Sequence, residues 1–122
     1  MAVRILVIDD DDAVRDSIVA LLSSMAFEVV EACDGRDGVE KFAIHKPQIV
    51  LTDIVMPRQE GIETIVKIRQ ADPDVKIIAM SGGGRIKSQE YLALAKGLGA
   101  DLTLDKPFSL ETLADAIRQC LG

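Results

Sequence analysis

The sequence is short of several features, and each shortage narrows the reading. Its two cysteines, Cys33 and Cys120, lie far apart and in no CxxC spacing, which argues for two buried free thiols and against a disulfide framework or a zinc site. There is one histidine, His45. The HKP around it reads as a polar exit from a helix, and a metal or relay role would need partners that the local sequence lacks. No apolar run approaches the roughly 20 residues of a membrane span, and the N-terminus lacks the charged-then-apolar layout of a signal peptide. A cytoplasmic location away from membranes is therefore expected. Positive charge is also scarce: 14 Lys and Arg against 20 Asp and Glu give a net charge of -6. That argues against charge-driven binding to nucleic acid or an anionic membrane and suits a partner with a basic face.

Low-complexity tracts, long linkers and compositional breaks are missing too. The chain of 122 residues reads as one domain over 1–122, with mass for one core and not two. Hydrophobic residues at 48% and charged residues at 28% are the balance of a folded globular chain.

Apolar runs of strand length recur at VRILVI, FEVVEA, PQIVLT, VKIIAM and DLTLD, with helical spacing between them. Val14, Ile18, Leu21, Leu22 and Met25 share one helical face; Tyr91, Leu94, Ala95 and Leu98 a second; Leu110, Leu113, Ala114, Ile117 and Leu121 a third. Segments from Asp34 and from Glu60 read as helices as well, and Ser109 followed by Glu111 is a good cap for the last one. Five strand-helix alternations predict an α/β fold, a doubly wound parallel sheet with helices on both faces. ILVI, IVL and VKIIAM are nearly continuous in apolar residues, as strands buried on both faces are, whereas FEVVEA and DLTLD alternate with polar residues. Strands two and five are thus the edges. With right-handed crossovers this suits the order 2-1-3-4-5, in which ligands bind beyond the carboxyl ends of the strands at the switch between strands one and three.

Chemically active side chains are placed just beyond those ends. Asp9 and Asp10 open a run of four aspartates after strand one; Asp53 comes after strand three, Ser81 after strand four and Lys106 after strand five. Neighbouring strands are about 4.8 Å apart, so these groups can meet in one pocket. Clustered carboxylates repel one another unless a cation neutralises them. A hard divalent ion on oxygen ligands, magnesium or else manganese, answers that, and magnesium favours a few carboxylates, waters and a phosphate oxygen. Phosphoryl chemistry is implied. Asp53 is the candidate nucleophile, able to form an acyl phosphate while the metal and Lys106 offset charge on the phosphoryl oxygens. Ser81 can donate a hydrogen bond to one of those oxygens, and small Gly82 leaves room for the group at the backbone. Aspartates after a strand also commonly cap the next helix, and Asp11 and Asp12 are read as solvated acids at the helix start.

The segments ILVIDDD, IVLTDIVMPRQEG, IIAMSG and LDKPF, in this order and at these separations, resemble a response-regulator receiver domain of two-component signalling along essentially the whole chain. The strand order inferred above is also that family's, so the two are not independent. The resemblance implies that Asp53 accepts a phosphoryl group from a phosphohistidine on a sensor histidine kinase or histidine phosphotransfer protein. It implies further that Asp10 is a direct magnesium ligand, that Asp9 supports the metal through water, and that the backbone carbonyl of Val55 is the third protein ligand. By the same resemblance Lys106 contacts the phosphoryl group and Ser81 is the hydroxyl residue whose shift reports phosphorylation. Met56, Pro57 and Gly61 match the loop after the acceptor, and Pro107 a proline often held in cis.

Two positions depart from the family pattern. Thr103 stands where an aromatic ring is usual, which puts ring-based coupling to Ser81 in doubt. Val55 and Gly83 carry no side chain able to orient a hydrolytic water, which implies slow loss of phosphate. The last helix runs on to Gly122, so a stand-alone receiver without an output domain is expected, the opening MAV suiting a natural N-terminus; a piece of a longer regulator or hybrid kinase is the alternative. Such a protein catalyses only its own phosphorylation and dephosphorylation and acts on a downstream protein through contacts centred on its fourth helix, fifth strand and fifth helix, with dimerisation on phosphorylation possible. Two other functions compete. A haloacid-dehalogenase-type phosphatase would use Asp10 as nucleophile, since DDDAV fits its Asp-x-Asp pattern, but 122 residues leave no room for its cap and Asp53 would have no role. A receiver-like binding module that is never phosphorylated would not need the full acceptor set.

Overall fold

The central strands are apolar on both faces because each face belongs to a different core. In the computed structural model, which describes residues 2–54, 60–82 and 88–122, the elements are β1 (Arg4–Ile8), α1 (Asp12–Ser24), β2 (Glu28–Ala32), α2 (Gly35–His45), β3 (Ile49–Asp53), α3 (Glu60–Ala71), β4 (Lys76–Gly82), α4 (Ser88–Leu98), β5 (Leu102–Lys106) and α5 (Leu110–Leu121). All strand pairs are parallel, in the order β2-β1-β3-β4-β5. Strand alternation sends Leu6, Ile8, Val50, Ile77 and Ala79 to one side, with Phe42 of α2, Ile62, Ile65 and Ile68 of α3, and Ala95 of α4. Ile5, Val7, Ile49, Leu51, Ile78 and Met80 go to the other, with Ile18 and Leu22 of α1 and Leu113, Ala116, Ile117 and Cys120 of α5. The doubly wound sheet and its edges are as the sequence predicts.

Local signals set where the helices begin. Asp11, Asp34 and Ser109 are the N-caps of α1, α2 and α5, and each side chain accepts the backbone N–H three residues on, from Val14, Asp37 and Thr112. Asp11 is therefore a capping group rather than only a solvated acid. At the other end, α2 stops at Lys46, whose left-handed backbone (φ 48°) closes the helix on Phe42. His45 lies in that last turn, and its carbonyl accepts a hydrogen bond from Arg4.

Three packing expectations are corrected. Cys33 is exposed while Cys120 is buried, because Cys33 comes directly after the last residue of edge strand β2, in the turn to α2, where no helix covers it. On α5 the buried stripe is Leu113, Ala116, Ile117 and Cys120; Leu110 and Leu121 are the first and last residues of the helix and stay exposed, and Ala114 is half-buried. On α4 only Ala95 of the described stripe is buried, and Leu94 and Leu98 are exposed.

Arg69, in the last turn of α3, joins three segments. Its guanidinium donates to the carbonyls of Pro73 (2.9 Å), Val75 (2.6 Å) and Gly99 (2.7 Å), and to Asp101 (2.8 Å), whose carboxylate also accepts the Ile77 N–H (2.8 Å). The entry to β4 and the turn from α4 to β5 thus hang on one side chain. Replacing it leaves carbonyls and a carboxylate without their charged donor, and Arg69→Met is expected to cost about 3 kcal/mol in urea unfolding.

Candidate functional site

Parallel pairing in register brings the carboxyl ends of four strands together. Asp53 pairs with Met80, Ser81 with Asp105, and Gly82 with Lys106. The sequence reading put the active groups after the strands. Instead Asp53 and Lys106 are the last residues of β3 and β5 and Ser81 the last but one of β4, and only Asp9 and Asp10 lie past the end of β1. Strand ends are stiffer than loops, so the pocket is built on the sheet itself.

Asp9 is completely buried. Its backbone N–H continues the sheet to the Ala32 carbonyl (3.2 Å); one carboxylate oxygen accepts the Asp11 N–H (3.0 Å) and the other the Lys106 ammonium (2.9 Å). Asp53 is 5% exposed and its Oδ2 stands 3.4 Å from the same ammonium. Asp10 is exposed, and its carboxylate has no hydrogen-bond partner among the described residues. Oxygens of Asp9, Asp10 and Asp53 all lie within 4.8 Å of one another.

Lys106 offers the pocket one positive charge. Burial pulls its pKa down, but the hydrogen bond to Asp9 and the charges of Asp53 and Asp9 outweigh burial, and the net shift is upward. The Ser81 hydroxyl is fully buried with no hydrogen-bond partner among the described residues. A buried hydroxyl without a partner is costly, and it is explained if a ligand oxygen completes it. Gly61, at the start of α3, packs so closely that a Cβ there would overlap the Asp53 carbonyl oxygen and the Ile54 backbone. Lys106–Pro107 is a cis peptide bond.

Among the described residues, three carboxylates against one ammonium leave the cluster with an excess of two negative charges. All the donors are hard oxygens, and with the unpartnered Ser81 hydroxyl they fit a small divalent cation beside a phosphoryl-sized anion. Val55, Met56, Pro57 and Gly83 lie outside the described residues. The structure thus brings together Asp9, Asp10, Asp53 and Lys106, with Ser81 on the adjoining strand end.

One participant escaped the sequence reading. Arg15 of α1 donates to the Asp9 carbonyl (2.7 Å) and to the carboxylates of Asp12 (2.6 Å) and Glu31 (3.3 Å). Its only local signal is the spacing of three from Asp12, which is common on helix surfaces.

Residues 5–118 match the sequence profile of the response regulator receiver domain. The chain belongs to that family. Among curated relatives, the response regulator MprA of Mycolicibacterium vanbaalenii is 38% identical over 121 residues, covering 99% of this receiver chain but 51% of that protein. MprA of Mycobacterium tuberculosis is 36% identical over the same share. The chain therefore spans about half the length of these relatives. Among solved structures, a CheY-like receiver domain protein from Methanospirillum hungatei superposes with a TM-score of 0.89 at 30% identity, over 99% of this chain and 94% of that one. NtrX from Brucella abortus, in complex with ADP, gives 0.91 at 28% identity over 99% of this chain and 27% of that one. Among the described residues no helix is long and apolar enough to cross a membrane.

Removing the ammonium takes from buried Asp9 and Asp53 the positive charge that both carboxylates contact. Lys106→Met is expected to lose about 3 kcal/mol of stability in metal-free buffer by urea titration. Because the Lys106 pKa is raised on folding, its contribution is complete below the ordinary lysine value and fades only as pH rises through the shifted one. The difference between wild type and variant should hence be flat from neutral pH to about pH 10 and shrink above it.

Proposed function

We propose that this receiver is a phosphoacceptor switch in which Asp53 takes a phosphoryl group from a phosphohistidine on a sensor histidine kinase or histidine phosphotransfer protein. The observation that carries the reading is the closing of Asp9, Asp10 and Asp53 to within 4.8 Å, with Lys106 bonded to two of them. A carboxylate oxygen of Asp53 attacks phosphorus, the phosphorus–nitrogen bond breaks, and the imidazole leaves with the electron pair and is protonated. Lys106 shifts from neutralising Asp53 to pairing with a phosphoryl oxygen, and the Ser81 hydroxyl donates to another. Asp10 and Asp53 would hold magnesium or manganese, with Asp9 supporting it through water; the Val55 carbonyl, the third ligand that the resemblance implies, lies outside the described residues. The ion, when bound, offsets the charge of the phosphoryl oxygens. Both oxygens of Asp9 already accept hydrogen bonds whereas those of Asp10 accept none among the described residues, which supports assigning direct ligation to Asp10.

The receiver has no other catalytic task in this reading, and residues 1–122 act as one domain, in the cytoplasm. Four of the five exposed large hydrophobic residues described, Leu94, Leu98, Leu110 and Leu121, are on α4 and α5. That favours a protein target, or a second copy after phosphorylation, on the face made by α4, β5 and α5.

Incubation with magnesium and acetyl phosphate should give a base-labile, acid-stable label on Asp53, absent in Asp53→Asn. Label on Asp10 would support the phosphatase instead, and no label the binding module. In magnesium titrations followed by NMR, Asp10→Asn should weaken binding at least tenfold and Asp12→Asn by less than twofold; equal effects would contradict the division between these acids.

A further inference from the structure

Arg15 is mostly buried, with 14% of its side chain exposed, and it spends its donors unusually. Nη2 and Nε go to Asp12 and Glu31, on α1 and β2, but Nη1 goes to the carbonyl of Asp9 at 2.7 Å. That carbonyl belongs to the peptide whose nitrogen is Asp10's. Fixing it fixes the peptide plane, and so the direction in which the Asp10 side chain leaves the backbone. The peptide on the other side of Asp10 is held by the Asp9 carboxylate, which accepts the Asp11 N–H at 3.0 Å, so Arg15 fixes one of the two peptides that flank Asp10, whose own carboxylate makes no hydrogen bond to the described residues. Glu31 is anchored in turn: its backbone carbonyl accepts from Lys41 (2.9 Å) and its strand pairs with β1.

We infer that Arg15 is a positioning residue for the divalent-cation site, holding the Asp9–Asp10 peptide so that the Asp10 carboxylate is set against Asp9 and Asp53 before any ion arrives. This rests on the metal assignment proposed above and extends it to a residue that touches neither metal nor phosphate. Two physical effects of Arg15 oppose each other. As a positive charge near three carboxylates it repels an incoming cation, so charge alone predicts tighter metal binding once it is removed. As an outer support for a ligand it lowers the cost of ordering the site, so positioning predicts weaker binding. The guanidinium is closely compensated by Asp12 and Glu31, which blunts the repulsion and leaves positioning dominant.

The sign of the change decides between them. Magnesium titrated by calorimetry, and manganese by electron paramagnetic resonance, into wild type, Arg15→Lys and Arg15→Met should give affinity falling in that order, with the methionine variant about tenfold weaker. Lysine keeps the charge but cannot reach three acceptors at once, so it separates geometry from charge and carries the test should Arg15→Met fold poorly. With acetyl phosphate, the variants should need more magnesium for half-maximal labelling of Asp53 yet reach the wild-type rate at saturation. Affinity unchanged or tighter in the variants, while wild type binds metal and labels on Asp53, overturns the inference and leaves the proposed function intact. A lower thermal midpoint with an unchanged metal affinity of the folded protein assigns Arg15 a merely structural role and also overturns it. A wild type that binds no divalent cation removes both.

Discussion

The constraint on which this structure turns is mutual repulsion of carboxylates. Asp9, Asp10 and Asp53 bring carboxylate oxygens within 4.8 Å of one another at the end of a sheet, two of them out of solvent. Such a cluster is stable only if positive charge is supplied from elsewhere in the chain. Lys106 does so from the far edge strand, reaching Asp9 at 2.9 Å across 97 residues of sequence. The pocket and the edge of the sheet are therefore coupled: β5 cannot shift in register without taking the counter-ion with it.

A parallel sheet provides that rigidity because its central strands are buried on both sides. β3, which carries Asp53, is buried along its entire length, and Gly61 lets α3 begin directly against the Asp53 backbone. Toward the edge the packing loosens, and no residue of β5 is fully buried. Thr103 pairs with Ala79, and strand alternation puts both on the α4 side with Ala95. Small residues occupy all three positions, and Thr103 brings no ring to that side of β5.

Much of this was legible from sequence because it depends on period and punctuation. Continuous apolar runs marked the central strands and alternating ones the edges, and Ser109 announced its helix. The meeting of Asp9, Asp10, Asp53 and Lys106, with Ser81 beside them, was legible because topology dictates which ends of a parallel sheet come together. What the sequence hid was decided by tertiary geometry. Leu110 and Leu121 fit the apolar stripe of α5 as well as Ala116 or Cys120, but they are its terminal residues and only the packed structure shows that the ends stay exposed. Cys33 looked buried by residue type, but it lies where an edge strand ends. Arg15 was invisible because its key partner is a backbone carbonyl, which no residue pattern encodes.

The same geometry separates the four aspartates of the opening loop. Asp9 is committed to Lys106 and to the backbone of Asp11. Asp11 caps α1, and Asp12 pairs with Arg15. Only Asp10 is left without a partner among the described residues, and it is the one whose peptide Arg15 holds. Asp12 and Glu31 carry two negative charges against the single positive charge of Arg15, so the guanidinium can grip the loop without presenting net positive charge. The run of like charges is tolerated because three of its members are already satisfied and the fourth is exposed to solvent.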